Sequence, residues 1–145
     1  MVICGVELTG NDAVVCLLSL DRGQFSLPEN RVRKLSLNKN HTREDLKQFQ
    51  AAFVDLMAEH GVSRVVIKER MQKGKFAGGA ISFKLEAAIQ LISGLDLEVK
   101  LASPALIKST LAASPLPVSF ADTGLKGFQE TAFTVAYVGH MATFD

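Results

Sequence analysis

The chain reads as one α/β domain, a mixed five-stranded sheet with helices on both faces, in the order β-β-β-α-β-α-β-α-α across residues 1–145. Three observations predict this. Two apolar runs joined by turn residues open the chain as a hairpin. An amphipathic stretch of helical period then separates the first strand from a second buried one, and a connection of that length makes the two strands parallel. A second helical pattern and a further strand repeat the same crossover. The length suits a single domain with a real core, and a composition of 48% apolar and 21% charged residues excludes long disorder.

Taken in order, residues 1–8 form the first strand, Thr9-Gly10-Asn11-Asp12 supplies the turn, and 13–20 returns. Residues 21–30 are a loop punctuated by glycine and proline, and 31–37 reads as a third, edge-type strand with basic residues outward. Thr42 is an N-cap with Asp45 in the capping-box position, after which Leu46, Phe49, Phe53, Leu56 and Met57 recur at helical spacing until Gly61. Residues 62–70 follow as a buried strand, 74–93 as a helix with a glycine-rich start, and 95–102 as the fifth strand. Ser103-Pro104 caps a helix to about residue 113, 114–119 is a loop, and 124–142 is the terminal helix. No repeat or composition shift marks a second domain.

No apolar run reaches the ~18 to 20 residues of a membrane span, and the N-terminus enters a strand without a basic leader. The expectation is a cytoplasmic protein with no membrane partner. Cys4 and Cys16 read as small buried hydrophobes. A hairpin would set them almost opposite one another, so a cross-strand disulfide is conceivable, but a reducing compartment argues against it. No cysteine or histidine spacing supports zinc, and no Ser/His/Asp or Cys/His arrangement can be built. His140, in an Ala/Val-rich helix, reads as a packed or capping residue.

The net charge of +1 says little, but its distribution says more. Arg64, Lys68, Arg70, Lys73, Lys75 and Lys84 lie close together with one acid, Glu69, among them. Glu7 and Glu69 each stand near the C-terminal end of an apolar strand. Ile3, Gly5 and Glu7 share one face of the first strand by period two, and Val65, Ile67 and Glu69 share one face of the fourth. If the strands are neighbours the carboxylates meet, and such a pair either raises one pKa or recruits a cation. With a third carboxylate, the pair would hold Mg²⁺ or Mn²⁺ and activate water for phosphodiester cleavage. The alternative is a solvated Lys68-Glu69-Arg70 cluster and an exposed Glu7 at a strand end.

The segment 70–79 is the clearest binding element. Its glycines admit a phosphate to the backbone, a helix follows, and Lys73 and Lys75 supply charge. It lacks the Gly-Lys-Ser/Thr of a Walker A loop. The alternative is a flexible loop kept soluble by lysines, and Phe76 is either a stacking residue or core.

The order of elements resembles the ribonuclease H-like superfamily. The motifs are most similar to RuvC-type Holliday-junction resolvases, and the chain also looks like a small uncharacterised bacterial family near them. Gly5-Val6-Glu7-Leu8-Thr9 stands where that superfamily has its first acid, and Val66-Ile67-Lys68-Glu69-Arg70 where it has its second. Pro104-Ala-Leu-Ile107-Lys108 is similar to a Pro-x-x-hydrophobic-Lys element, and Lys126-Gly-Phe-Gln129 to a later Lys-x-x-Gln. The resemblance implies a metal-dependent nuclease acting on structured nucleic acid, DNA before RNA, with Arg70, Lys73, Lys75, Lys108 and Lys126 on phosphates. Because a junction is two-fold, it also implies a homodimer. The departures are Glu7 in place of aspartate, and a third acid offered only by Glu130, one position out of register, or Asp122, two turns earlier. The competing readings are a non-catalytic nucleic-acid-binding or oligomerisation module with a degenerate site, and a phosphate-compound binding enzyme using the 73–79 loop.

Overall fold

The computed structural model describes residues 1–74 and 78–144; Lys75 and Phe76 fall outside the described residues. Strands β1 (Val2–Thr9) and β2 (Asp12–Asp21) form the opening hairpin, with Gly10 at φ +58° in the turn. Helix α1 (Arg43–Glu59) crosses to β5 (Val62–Lys68), which lies parallel to β1. Helix α2 (Ala80–Gln90) crosses to β6 (Glu98–Ala102), parallel to β5. Helices α3 (Pro104–Ala113) and α4 (Glu130–Met141) close the chain. The expected capping box is present: Asp45 N–H donates to Thr42 Oγ1 at 3.2 Å and Thr42 N–H to Asp45 Oδ2 at 2.9 Å.

The predicted fold class holds, with one correction to the strand count. Among the described residues the sheet has six strands, ordered β3 (Gln24–Ser26), β2, β1, β5, β6, with β4 (Lys34–Ser36) also paired to β2. The expected third strand at 31–37 shortens to β4 (Lys34–Ser36), and the expected loop contains β3 (Gln24–Ser26). Arg22 and Gly23 both take positive φ, the geometry of a tight hairpin turn, and so return the chain onto the end of β2. β4 then takes the other end of β2, so two short strands divide one edge. The terminal helix also starts later than expected. Two 3₁₀ turns, Phe120–Thr123 and Gly127–Gln129, occupy the ground before it.

Alternation on the strands sorts the core into two layers. Cys4, Val6, Val15, Leu17, Val65 and Ile67 pack with α1 and α2. Ile3, Val14, Cys16, Leu18 and Val66 face α4, with Leu106 and Ile107 of α3 packed at the same layer. The cysteines are therefore not opposite one another, because the register pairs Cys4 with Leu17 and Cys16 with Gly5. One points to each layer, which removes the disulfide geometrically. Helix α4 lies unusually close to the sheet. A Cβ on Gly5 would collide with the Ala132 carbonyl oxygen, and one on Gly139 would come within 2.7 Å of Val66 and 2.9 Å of Ile3.

Candidate functional site

The contacts of α4 fix its direction. Gly139 lies over Ile3 and Val66, while Ala132 and Ala136 lie over Gly5, so the helix runs against β1 and brings its N-terminus toward Glu7. The sheet register supplies the rest of the site. Glu7 pairs with Val14, and Val14 with Lys34, across β1, β2 and β4. On the other side, Gly5 pairs with Val66 and Val6 with Ile67, which carries Glu7 to Lys68 at the next step; Lys68 pairs with Ala102. One row on the α4 face thus reads Lys34, Val14, Glu7, Lys68, Ala102. Glu7 and Lys68 are half-buried.

Glu69 is one residue further and so belongs to the opposite face. It is exposed, its N–H donates to the Ala102 carbonyl at 2.9 Å, and it lines a cleft of about 460 Å³ with Arg70, Lys73, Phe83, Glu86 and Leu101. The expected meeting of Glu7 and Glu69 on one face is corrected here. Each follows apolar residues toward a helix layer, but the layers are different. The error is physical: alternation fixes the side of a residue within its strand, and only the pairing between strands fixes which sides coincide.

The third acid is not brought in either. Asp122 is exposed on a separate cavity of about 520 Å³, lined by Leu18, Phe25, Phe133 and Tyr137. Leu18 pairs with Ile3, four residues from Glu7 along β1, or about 13 Å. Glu130 begins α4 but is exposed, and its neighbour Gln129 is the residue turned inward. Gln129 is buried, donates from Nε2 to the Val15 carbonyl at 3.1 Å, and accepts at Oε1 from the Lys126 N–H at 3.1 Å. Glu7 therefore has an ammonium as row neighbour, and the inward residue at the adjoining helix start is an amide bonded to β2 and to Lys126. Among the described residues no three of His, Cys, Asp and Glu form a group able to hold a metal. This donor set does not fit Mg²⁺ or Mn²⁺, which take several carboxylate or carbonyl oxygens.

The predicted phosphate contacts divide between the two faces. Lys126 is exposed beside the start of α4, and Lys108 is exposed in α3, which leaves the same end of the sheet after Ala102. Arg70 and Lys73 belong to the α2 side. Arg70 is mostly buried and bound: its Nη2 lies 2.7 Å from Glu86 Oε1, and its guanidinium stacks 4.3 Å from the centre of the Phe83 ring. Its Nε and Nη1 are buried with no partner among the described residues. Lys73 is exposed on the cleft, and Lys75 lies outside the described residues. Sequence reasoning missed Lys34 and Phe128, and gave Lys68 only a flanking role. Counting by two from Val66 reaches Lys68, but choosing Val66 over Val65 as the partner of Gly5 requires the register.

The fold is that of the RuvC class of ribonuclease H-like proteins. The Thermus thermophilus RuvC structure superposes with a TM-score of 0.74 at 10% identity, over 97% of this chain and 94% of that one. T. thermophilus RuvC in complex with a Holliday junction substrate gives a TM-score of 0.73 at 12% identity, over 97% and 93%. Residues 1–139 match the family described as "Protein of unknown function (DUF3010)", and the chain belongs to that family. No curated protein matches it. Among the described residues no helix is long and apolar enough to cross a membrane.

Proposed function

We propose that the chain is a nucleic-acid-binding module of ribonuclease H-like fold, with DNA as its ligand, that holds phosphates without cleaving them. The observation that carries this reading is the row on the α4 face. Continuing the register one step past the Val6/Ile67 pair sets Lys68 beside Glu7, where metal-dependent cleavage would need a second carboxylate, and the inward residue at the start of α4 is an amide, Gln129. An ammonium there attracts a phosphate directly, and Lys34, Lys108 and Lys126 lie toward the same sheet end. The likeness in fold to a protein solved with a DNA junction agrees with such a ligand. The nuclease reading needs Glu7 and Glu69 around one cation, and the register of β1 on β5, continued past the Val6/Ile67 pair, counts against it.

The test is fluorescence anisotropy with labelled single-stranded, duplex and four-way-junction DNA across a salt series. Binding should weaken steeply with salt, and Lys68→Gln or Lys126→Gln should each lower the salt slope by about one phosphate. No cleavage should appear with Mn²⁺. Absence of binding at low salt sinks the reading, and cleavage abolished by Glu7→Gln would restore the nuclease.

A further inference from the structure

Phe128 is exposed at 49%, the only aromatic ring so placed among the described residues. It belongs to none of the hydrophobic clusters among the described residues. Burying such a ring is normally worth about 2 kcal/mol or more, so its position in solvent forgoes a stabilising contact. Nor is it on a loose segment. It sits in the 3₁₀ turn Gly127–Gln129, and the next side chain, Gln129, fastens that turn to β2 through the Val15 carbonyl. The ring is thus held outward on a rigid support.

Its surroundings are cationic. Lys34 Nζ lies 5.9 Å from the centre of the ring, and the same ammonium is 3.8 Å from Asp12. Lys126 is exposed two residues before the ring, and Gly127 adds no side chain beside it. Arg31 and Arg33 are exposed on the segment entering β4, and that segment is tied down because the Arg33 carbonyl accepts the Val15 N–H at 2.9 Å. Gln129 and Arg33 therefore both anchor to Val15, which fixes the ring and the basic segment relative to each other.

From this arrangement we infer that Phe128 is a base-stacking platform for single-stranded DNA, with Lys34, Arg31, Arg33 and Lys126 following the sugar-phosphate backbone. An aromatic face flanked by exposed cations suits an unpaired base of any identity, whereas the faces of paired bases in a duplex are covered by their neighbours. The inference rests on the proposed nucleic-acid binding and names the form of ligand taken at that end of the sheet.

The experiment compares the parent with Phe128→Ala and Phe128→Trp. The probes are a labelled mixed-sequence single strand of about 15 nucleotides, within the span such sites cover, and the blunt duplex of the same sequence. Phe128→Ala should weaken single-strand binding about tenfold or more and leave duplex binding within about twofold. The chain contains no tryptophan, so Phe128→Trp introduces a single fluorophore, whose emission should fall as the unlabelled strand saturates it. Thermal unfolding of both variants should match the parent, since among the described residues the ring packs in no hydrophobic cluster. If Phe128→Ala binds the single strand as the parent does, or the tryptophan emission does not change, the platform is overturned while nucleic-acid binding stands. If the parent binds neither probe at low salt, the underlying reading fails as well.

Discussion

The two faces of the sheet finish differently at the ends of the same two parallel strands. On the α4 face, Glu7 and Lys68 are half-buried neighbours beneath a helix N-terminus, and the cations around them reach solvent. On the α2 face, Glu69 is exposed, while the cation beside it, Arg70, is committed to Glu86 and Phe83. One face presents charge to a ligand, and the other uses charge to close a gap between α2 and β5. Sequence position does not separate these roles, because Lys68, Glu69 and Arg70 are consecutive. Strand parity separates Lys68 from Glu69, whereas Arg70, past the end of β5 at Lys68, turns to Glu86 and Phe83 of α2.

The most damaging test of this contrast is Gly5→Val, directed at the packing that defines the α4 face. Its side chain meets the α4 backbone rather than a movable side chain, so denaturant unfolding should show a loss of about 3 kcal/mol or more, at or above the top of the usual range for overpacking. Close to parental stability would mean that α4 is not held against β1. Glu86→Ala probes the other face. It leaves a largely buried guanidinium without its carboxylate and should cost about 3 kcal/mol, whereas Lys68→Met should change stability by less than about 0.5 kcal/mol. Equal costs would erase the distinction between a structural and an available cation.

A gain-of-function variant sharpens the comparison further. Lys68→Glu places a second carboxylate beside Glu7, and millimolar Mn²⁺ should then raise stability by about 1 kcal/mol with no effect on the parent. The gain should survive Glu69→Gln and vanish with Glu7→Gln; dependence on Glu69 instead would contradict the register argument. The smallest effect concerns His140, whose Nε2 lies 2.7 Å from the Leu18 carbonyl on the α4 side. Burial lowers its pKa below the ordinary 6.5, with Met1's ammonium and Arg64 adding to the effect and the Leu18 hydrogen bond opposing it. The folded state therefore binds fewer protons than the unfolded chain just below pH 6.5, so stability is full above that value and declines as pH falls through the folded pKa. His140→Gln should flatten the decline in unfolding midpoint between pH 7.5 and pH 5; an unchanged slope would assign it to other groups.

Local signals account for much of the agreement between sequence and structure. The Thr42–Asp45 capping box, the Ser103-Pro104 start of α3 and the Gly10 turn act within a few residues, so their chemistry is visible without any partner. Expectation failed where the outcome depends on a distant segment. β3 exists because Arg22 and Gly23 adopt positive φ against a β2 edge, although Arg-Gly is not an evident hairpin turn. The late start of α4 reflects Gln129 spending its amide on Val15, more than a hundred residues earlier in the chain.

By itself the sequence determined the alternation of elements, the crossovers that make β1, β5 and β6 parallel, and the presence of acids and bases near the strand ends. Those features follow from hydrophobic period, connection length and capping chemistry, all of which are local. Only the tertiary structure decided that Glu7 faces Lys68 instead of Glu69, that Arg70 is an internal partner, and that Phe128 stands in solvent among cations. The first depends on which residue of one strand lies opposite which residue of the next, and the other two on side-chain contacts between segments distant in the chain. A shift of one position reverses every side chain, and the pairing that sets it belongs to the assembled sheet.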